Sequence, residues 1–379
     1  MDTFHRQYSD DLDDHVRNIV RWHFSPETGS DFWLELSRSL PFDPIRDIRT
    51  FDDLSRFPVV VPLWRTTPTA KLVPKGIRGH YSVFETGGTT GPPTRVAAGP
   101  EKFENVERVS ELLDEHGFPG SERTESVCGG VEHKQSWLYV GASGPHGVGR
   151  VVPRLAQDRG FLCHMVDMDP RWLRKLGKAG REDEIEAYVS HVLQQAKWVL
   201  EGDDVAALIT IPPLLRAMIR DEEIRELIRK SVKGIIWSAT PVADEELASW
   251  EELHFPEAQI VGWYGNALMG IGVQRPRAAS DEYRCSFSMP SSHRGACPMA
   301  YLKTVSLDDP DRGVEYGQEG QVRISVLRYE TFIPHHLERD RAIRIPPGGG
   351  DRWDGVTRVS ALAGGGSGSA FQPELGQLA

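Results

Sequence analysis

Short apolar runs alternate with helical patterns through the middle of the chain. The runs SWLYVGAS, VAALIT, GIIWSAT and AQIVGWYG have the length and residue types of buried strands, and amphipathic patterns such as DEIEAYVSHVLQQAKWVL lie between them. Strands and helices that alternate in this way predict a parallel or mixed sheet covered by helices. Ligands bind such sheets where the strands end. We therefore expect an α/β fold with a site at one edge of the sheet.

Different patterns flank this region. Up to about Leu40 the apolar residues have helical spacing, which predicts two helices. From about Ser280 short strands rich in glycine and proline predict a β-rich subdomain that closes one side. We expect residues 1–280 to form the α/β part and residues 281–360 the β-rich part. Residues 361–379 have the composition of a linker and are expected to be a flexible tail.

Composition argues against several classes of protein. The formal charge of −11 repels the phosphate backbone, and no run of basic residues offsets it, so we expect no nucleic-acid partner. No stretch approaches the roughly 20 apolar residues of a membrane span. The acidic N-terminus does not resemble a signal peptide, and the four cysteines are scattered, so we expect a cytoplasmic protein.

The segment FETGGTTGPPTR, residues 84–95, predicts a strand, a Gly-rich loop and a second strand. Glycines and threonines suit a phosphate site because the backbone can approach closely and the hydroxyls can donate hydrogen bonds. A Walker A loop requires Gly-Lys-Ser/Thr at its end, and a dinucleotide loop leads into a helix. Here Pro92 and Pro93 lead into a strand, which disfavours both. A flexible turn without a ligand stays open as the alternative.

The order of residues in this segment, TGGTTGPPT, resembles the phosphate loop of the adenylate-forming acyl and aryl ligases, the ANL superfamily. Its core is similar to that of the phenylacetate–CoA ligase branch. Four further segments resemble motifs of the same superfamily in the same order: SGPHGVG, WSATPV, GWYGNALMG, and EGQVRIS followed by HHLERDRAIR. The resemblance covers roughly residues 50–360.

The resemblance implies a set of ligand-binding residues. The nucleotide would be bound by Thr86, Gly87, Gly88, Thr89, Thr90, Gly91, Ser238, Ala239, Thr240, Tyr264, Gly265 and Asp340. The substrate acid would lie beside His146 and Gly147, together with Tyr264 and Gly265. In this scheme Tyr264 stacks on adenine and Asp340 binds the ribose. Structural roles for His146, Tyr264 and Asp340 stay open as alternatives.

The resemblance also implies a fold and a reaction. The fold is a large domain of two helix-flanked sheets plus a distorted β-barrel, followed in the family by a small mobile domain. The reaction is attack of a carboxylate on the α-phosphate of ATP, which gives an acyl-adenylate that is passed to a thiol such as coenzyme A. A large domain of this type without the small domain resembles a set of family members that belong to secondary metabolism, including phenazine-type antibiotic pathways. An aromatic carboxylic acid is then the expected substrate, and a thiol acceptor or a pathway enzyme is the expected partner.

The sequence departs from the family pattern at several positions. Ala267 and Leu268 stand where the family has Thr-Glu, so the usual Mg²⁺ ligand is missing, although Mg²⁺ stays possible as a cofactor of ATP. Thr94 stands where most members have lysine. The expected hinge, AGGGSGS, carries no charge, and we expect the small domain with its lysine to be absent. No catalytic residue is therefore assigned.

These departures support a second hypothesis. A catalytically degenerate relative would bind an aromatic acid or a nucleotide without turnover. No metal site is assigned either, because Cys285, His293 and Cys297 lack a fourth ligand and the usual zinc spacing.

Overall fold

The computed structural model of the protein describes residues 9–88, 91–120, 135–278, 281–291, 297–348 and 352–362, without the side chains of residues 101–105. The chain divides into two compact units. The first unit contains Met1–Arg108, Asn266–Gly272 and Ser288–Thr357, and the second contains Val109–Gly265, Val273–Phe287 and Arg358–Ala379.

The helices are α1 (Leu12–Phe24), α2 (Asp31–Ser37), α3 (Pro44–Asp47), α4 (Val61–Trp64), α5 (Pro100–Glu115), α6 (Val148–Asp158), α7 (Pro170–Lys178), α8 (Glu182–Gly202), α9 (Pro212–Arg220), α10 (Glu222–Ser231) and α11 (Asp244–Ser249). Short 3₁₀ segments occupy Asp52–Arg56 and Thr69–Leu72, and one π turn occupies Trp250–His254. In the described part of the chain no helix is both long enough and apolar enough to cross a membrane.

The strands are β1 (Ser82–Glu85), β2 (Arg95–Ala98), β3 (Ser136–Gly141), β4 (Leu162–Asp167), β5 (Val205–Thr210), β6 (Gly234–Ser238), β7 (Gln259–Asn266), β8 (Gly270–Gln274), β9 (Ser286–Ser288), β10 (Ala300–Val305), β11 (Glu319–Leu327), β12 (Phe332–Ile345) and β13 (Gly355–Ala361). Every described element that follows β8 is a strand.

A parallel sheet organises the second unit. Its strands lie in the order β4-β3-β5-β6-β7, and all four neighbouring pairs are parallel. All residues of β3 and β5 are buried, as expected for strands that are covered on both faces. Helices α6 and α8 pack against β3 and β4. The predicted α/β class, with a sheet flanked by helices, is confirmed.

One predicted helix is divided in two. The pattern PLLRAMIRDEEIRELIRK predicts a single helix, but the structure contains α9 and α10 with a break at Asp221. Asp221 has an extended backbone, and its carboxylate accepts the backbone N–H of Ile224 at 3.0 Å. This is an N-cap, which begins a new helix because the side chain satisfies an N–H that would otherwise lack a partner. The sequence interpretation was wrong here because Asp221 fits an exposed position of a continuous helix equally well.

In the first unit, α1 is attached to the connection between β11 and β12 by buried side chains. The imidazole Nε2 atoms of His15 and His23 lie 2.9 Å and 2.8 Å from the carbonyl oxygens of Leu327 and Arg328. The indole N–H of Trp22 donates to the carbonyl of Tyr329 at 2.8 Å. Carbonyl oxygens only accept hydrogen bonds, so both imidazoles carry their proton on Nε2. The helix is thus bonded to three successive backbone carbonyls.

The two histidines make the stability of the fold depend on pH. Burial lowers the pKa of His15 and of His23 from 6.5 to about 4, against a smaller opposite effect of the carbonyl partners. The unfolded chain then binds more protons than the folded chain between these pH values. Their contribution is fully present above pH 6.5 and is lost as the pH falls through 4, by up to about 3 kcal/mol for each histidine.

We expect the double variant His15→Gln, His23→Gln to flatten the fall of unfolding free energy between pH 6.5 and 4, because glutamine can still donate to the carbonyls but does not titrate. Urea denaturation at a series of pH values measures this slope. The control is His191→Gln, since His191 is an exposed residue of α8. A double variant with the wild-type slope would contradict the assignment.

Candidate functional site

The predicted site residues of the second unit follow strands of its parallel sheet. His146 and Gly147 follow β3, the segment Ser238–Thr240 ends and follows β6, and Tyr264 lies at the end of β7. Parallel strands have their carboxyl ends at the same edge, and Ser238 pairs with Trp263 beside Tyr264. The structure therefore brings together at one edge residues that are far apart in sequence, where ligands bind in sheets of this kind.

The loop that carries His146 is held by hydrogen bonds at its base. The backbone N–H and the hydroxyl of Ser143 donate to one oxygen of Asp167, at 2.9 Å and 2.5 Å. The N–H of His146 donates to the carbonyl of Ser143 at 2.9 Å. A Cβ atom at Gly149 would lie 2.5 Å from the Cα of Ser143, so only glycine fits. The half-buried His146 thus lies in a well-defined turn directly before α6.

The turn after β6 contains two features that the sequence did not reveal. Ala239 has a φ angle of +72°, in the left-handed region, where a residue other than glycine costs about 1 kcal/mol or more. The hydroxyl oxygen of Thr240 is buried and has no hydrogen-bond partner in the described part of the chain. Strained backbone and unpaired buried polar groups are typical of ligand sites, where the ligand supplies the missing bond.

Tyr264 packs against a neighbouring aromatic ring of the second unit. Its ring centroid lies 5.8 Å from that of Phe287, with the planes tilted by 47°. Phe287 in turn packs edge-on against Trp237 at 6.1 Å. The side chain of Tyr264 is half-buried, whereas those of Trp237 and Phe287 are buried. Tyr264 therefore packs against an aromatic neighbour without being fully buried, and its role beside a base stays a prediction.

The Gly-rich loop belongs to the first unit and connects the antiparallel strands β1 and β2, so the predicted strand–loop–strand arrangement is confirmed. The N–H of Thr86 donates to the carbonyl of Thr94 at 3.0 Å, and the N–H of Thr94 donates to the hydroxyl oxygen of Thr86 at 2.9 Å. Gly88 and Gly91 have φ angles of +65° and +138°, which favour glycine. Gly87 lies between Thr86 and Gly88, and Thr89 and Thr90 lie outside the described residues.

A buried threonine and an ion pair lie at the base of this loop. Thr94, at the family's lysine position, is only 3% exposed. The exposed Arg95 forms an ion pair with Glu85, with 3.2 Å between Nε and Oε1. Glu85 therefore balances a cation of the same hairpin.

The turn between β7 and β8 is fixed by Asn266, which is half-buried. Its Oδ1 accepts the backbone N–H groups of Leu268 and Met269 at 2.9 Å and 3.1 Å. Its amide nitrogen donates to Oε1 of Glu338 at 2.9 Å. Each hydrogen-bonding end of the Asn266 side chain therefore has a partner in the first unit.

A buried arginine contacts the same turn. The Nη2 atom of Arg328, a residue that is 2% exposed, donates to the carbonyl of Met269 at 2.8 Å. A Cβ atom at Gly270 would lie 2.8 Å from that nitrogen, so glycine allows the guanidinium to approach. Sequence reasoning missed Asn266, Arg328 and Glu338. The signal that was present is the Asn266 amide at the centre of a recognised motif.

The turn does not fit a magnesium ion at the family's ligand position. Leu268 is 4% exposed and its side chain is buried. It offers no oxygen atom, which Mg²⁺ requires. Among the residues that the structure describes, no group of three or more His, Cys, Asp and Glu side chains is arranged to hold a metal ion. His293, part of the weak zinc pattern, lies outside them.

Strand β12 bulges where it carries Asp340. Gln321 pairs with Arg341 and Arg323 pairs with Leu337, so a single residue of β11 lies opposite Glu338, Arg339 and Asp340. The amide of Gln321 donates to the carbonyl of Glu338 at 2.6 Å, which gives the bulged backbone a partner. Bulges redirect side chains and are frequent beside active sites. Asp340 thus occupies an irregular, half-buried position rather than a regular strand position.

The carboxyl group of Glu338 responds to this environment. Its pKa is raised from 4.5 to about 7, mainly by burial. The hydrogen bond from Asn266 lowers the pKa, the charge of Asp340 raises it, and the charge of Arg339 lowers it. Glu338 therefore changes its charge near neutral pH, two residues from the expected ribose ligand.

Comparison with known proteins gives a match of structure but not of sequence. No protein-family model and no curated protein matches the chain. Crystal structures of 2-hydroxyisobutyryl-CoA ligase do match in fold. In its thioesterification state with 2-HIB-AMP and CoA, the ligase aligns with 93% of this chain and 67% of its own, at a TM-score of 0.55 and 13% identity. Its open conformation with the same ligands aligns with 93% of this chain and 69% of its own, at a TM-score of 0.56 and 13% identity.

The same ligase in the postadenylation state with R3-HIB-AMP gives a TM-score of 0.56 and 13% identity over 93% of this chain and 67% of the ligase. At this identity the likeness establishes the fold alone. The chain thus has the α/β fold of an acyl-CoA ligase solved with an acyl-AMP, and it aligns with about two thirds of that ligase's length.

The unpaired hydroxyl of Thr240 gives a test that needs no ligand. We expect Thr240→Val to leave the free energy of unfolding unchanged or to raise it by up to about 1 kcal/mol, because a buried hydroxyl without a partner is removed. The matched control is Thr210→Val, whose buried hydroxyl donates to the carbonyl of Val140 at 2.9 Å. That change should cost about 1–2 kcal/mol in urea denaturation. An equal loss in both variants would show that Thr240 has a structural partner.

Proposed function

We propose that the protein is an ATP-dependent adenylating enzyme that activates an aromatic carboxylic acid. The observation that carries the proposal is the meeting of His146, the Ser238–Thr240 turn and Tyr264 at the carboxyl edge of one parallel sheet. These residues lie in three separate parts of the chain, and each part resembles a motif of the same superfamily. The fold likeness to a ligase solved with an acyl-AMP is consistent with the proposal.

Each part of the nucleotide has a proposed partner. The ring of Tyr264 stacks on adenine, and the hydroxyl of Thr240 gains a hydrogen-bond partner from the ligand. The Gly-rich loop from Thr86 to Gly91 holds the phosphates, and apart from the chain neighbours of Gly91 no atom of the described residues lies within 4 Å of a Cβ placed on that glycine. Asp340 accepts hydrogen bonds from the ribose hydroxyls.

The acid is proposed to lie beside His146 and Gly147. Its carboxylate oxygen attacks the α-phosphorus of ATP, the bond to the β-phosphate breaks, and pyrophosphate leaves. The contribution of the protein is to orient two anions in line, which accounts for a large share of catalysis in phosphoryl transfer. Mg²⁺ bound to ATP would supply charge neutralisation, although Leu268 cannot ligate it. No residue is proposed as an acid or a base.

The aromatic nature of the acid and a place in secondary metabolism, such as phenazine biosynthesis, are supported by the motif resemblance. The acceptor of the acyl group is proposed to be a thiol, coenzyme A or a pathway enzyme. Coenzyme A is present in the structures of the 2-hydroxyisobutyryl-CoA ligase.

The direct test is exchange of labelled pyrophosphate into ATP. We expect exchange that depends on an aryl acid, within a panel that includes benzoate-type acids and 2-hydroxyisobutyrate as the aliphatic comparison. Exchange with the aliphatic acid alone would support adenylation and refute the aromatic preference. Absence of exchange with every acid, with and without candidate thiol acceptors, would refute the proposal.

Asp340 provides a test of the nucleotide assignment. We expect Asp340→Ala to weaken ATP binding by about 1–3 kcal/mol, because a charged acceptor of two hydroxyl groups is lost. Isothermal titration calorimetry measures the change. The control is Asp308→Ala, an exposed aspartate of the same unit that lies between β10 and β11. Unchanged ATP affinity in Asp340→Ala would contradict the assignment.

A second candidate function is binding without turnover. The buried Leu268 and Thr94 favour it, because they replace an acidic and a basic residue of the family pattern. In that case calorimetry detects binding of ATP or of the aromatic acid while mass spectrometry detects no acyl-adenylate. Detection of the adenylate would eliminate this candidate.

A further inference from the structure

The turn from Asn266 to Gly270 is fixed by the side chain of Asn266 and by side chains that come from outside it. Asn266 holds two backbone N–H groups of the turn, and Glu338 on β12 holds Asn266. This turn directly follows Tyr264 and Gly265, for which we propose contacts with the nucleotide. A role of this turn in nucleotide binding therefore rests on the proposed function.

The orientation of the Asn266 amide is determined by its partners. The N–H groups of Leu268 and Met269 can only donate, so the Asn266 oxygen must face them and its nitrogen must face Glu338. A carboxylate oxygen at 2.9 Å is the acceptor that this arrangement requires. Without it, the partly buried amide nitrogen would lose its partner, and turning the amide over would break both bonds to the turn.

The placement of Glu338 on the bulge of β12 makes this contact possible. In a regular register one residue of β11 would lie opposite one residue of β12. Here Val322 of β11 lies opposite the three residues 338–340 of β12. The extra length carries Glu338 to Asn266, and Gln321 anchors the same residue through its carbonyl. The same bulge carries Asp340, the proposed ribose ligand.

We propose that Glu338 is a positioning residue of the nucleotide site, which sets the conformation of the turn 266–270 through the side chain of Asn266. Glu338 takes no part in the reaction itself. It supplies this turn with a carboxylate from β12, whereas the residue within the turn at the family's acidic position is the buried Leu268.

The donor and the acceptor of the Asn266–Glu338 hydrogen bond can be exchanged by substitution, which gives a specific test. Asn266→Asp places a second carboxylate against Glu338 and removes the donor. Adding Glu338→Gln restores a donor–acceptor pair in the opposite sense, because the new amide donates to the aspartate. The other oxygen of the aspartate can still accept from Leu268 and Met269. At pH 8.5 Glu338 of the wild-type protein is ionised, above its pKa of about 7. Because a second carboxylate raises that pKa, Glu338→Ala is measured beside Asn266→Asp and removes the contact without adding a charge.

We expect Asn266→Asp to accelerate hydrogen exchange of the Leu268 and Met269 amides by about tenfold or more and to weaken ATP binding about 10- to 100-fold. The double variant should recover both quantities to within about threefold. Asn18→Asp in α1 is the control, since it makes the same change of charge elsewhere in the first unit. If Asn266→Asp does not fold, Glu338→Ala replaces it with the same expected change in amide exchange.

The two readouts separate this inference from the proposed function. If the wild-type protein does not bind ATP, the proposed function fails, and amide exchange still decides whether Glu338 holds the turn. If amide exchange at 268 and 269 is unchanged in Asn266→Asp, or is not restored in the double variant, the positioning role is refuted whatever the ATP affinity.

Discussion

Parallel pairing of β3, β5, β6 and β7 is the constraint on which the candidate site depends. Because the apolar residues of these strands are buried on both faces, each strand has to be fully hydrogen-bonded to its neighbours, and the loops at the carboxyl ends emerge at the same edge. His146, Ser238 and Tyr264 come together for this reason alone. The chemistry of this edge then depends on the side chains that each loop places there. Among the described residues, the hydroxyl of Thr240 is a buried group of these loops that lacks a hydrogen-bond partner.

The strands could be predicted because their composition leaves little choice. Runs such as VAALIT are too short and too rich in β-branched residues for a core helix, and they are bounded by helical patterns. The break at Asp221 could not be predicted, since a single acidic residue on the exposed side of a helix differs from an N-cap only in its backbone angles. Ala239 presents the same difficulty, because alanine gives no warning of a left-handed conformation.

The order of the motifs predicted which loops would bind a ligand, but it did not predict the contacts that fix those loops. Asn266 and Glu338 meet because β12 bulges against β11, and a bulge is a property of strand pairing that the local sequence does not encode. The missing acidic residue at Leu268 was visible in the sequence, whereas the carboxylate that reaches the turn from β12 became visible only in three dimensions. Local patterns thus predicted a candidate site, and long-range pairing determines how its turn after β7 is held.

Arg328 makes hydrogen bonds to two different elements, one through its backbone and one through its side chain. Its carbonyl oxygen lies against the imidazole of His23, and its guanidinium donates to the carbonyl of Met269. One residue therefore connects the first helix of the chain to the turn that follows the proposed adenine-binding tyrosine. We therefore expect natural substitutions in the N-terminal helix and in the β7–β8 turn to be correlated, because both elements are hydrogen-bonded to Arg328, one through its backbone and the other through its side chain.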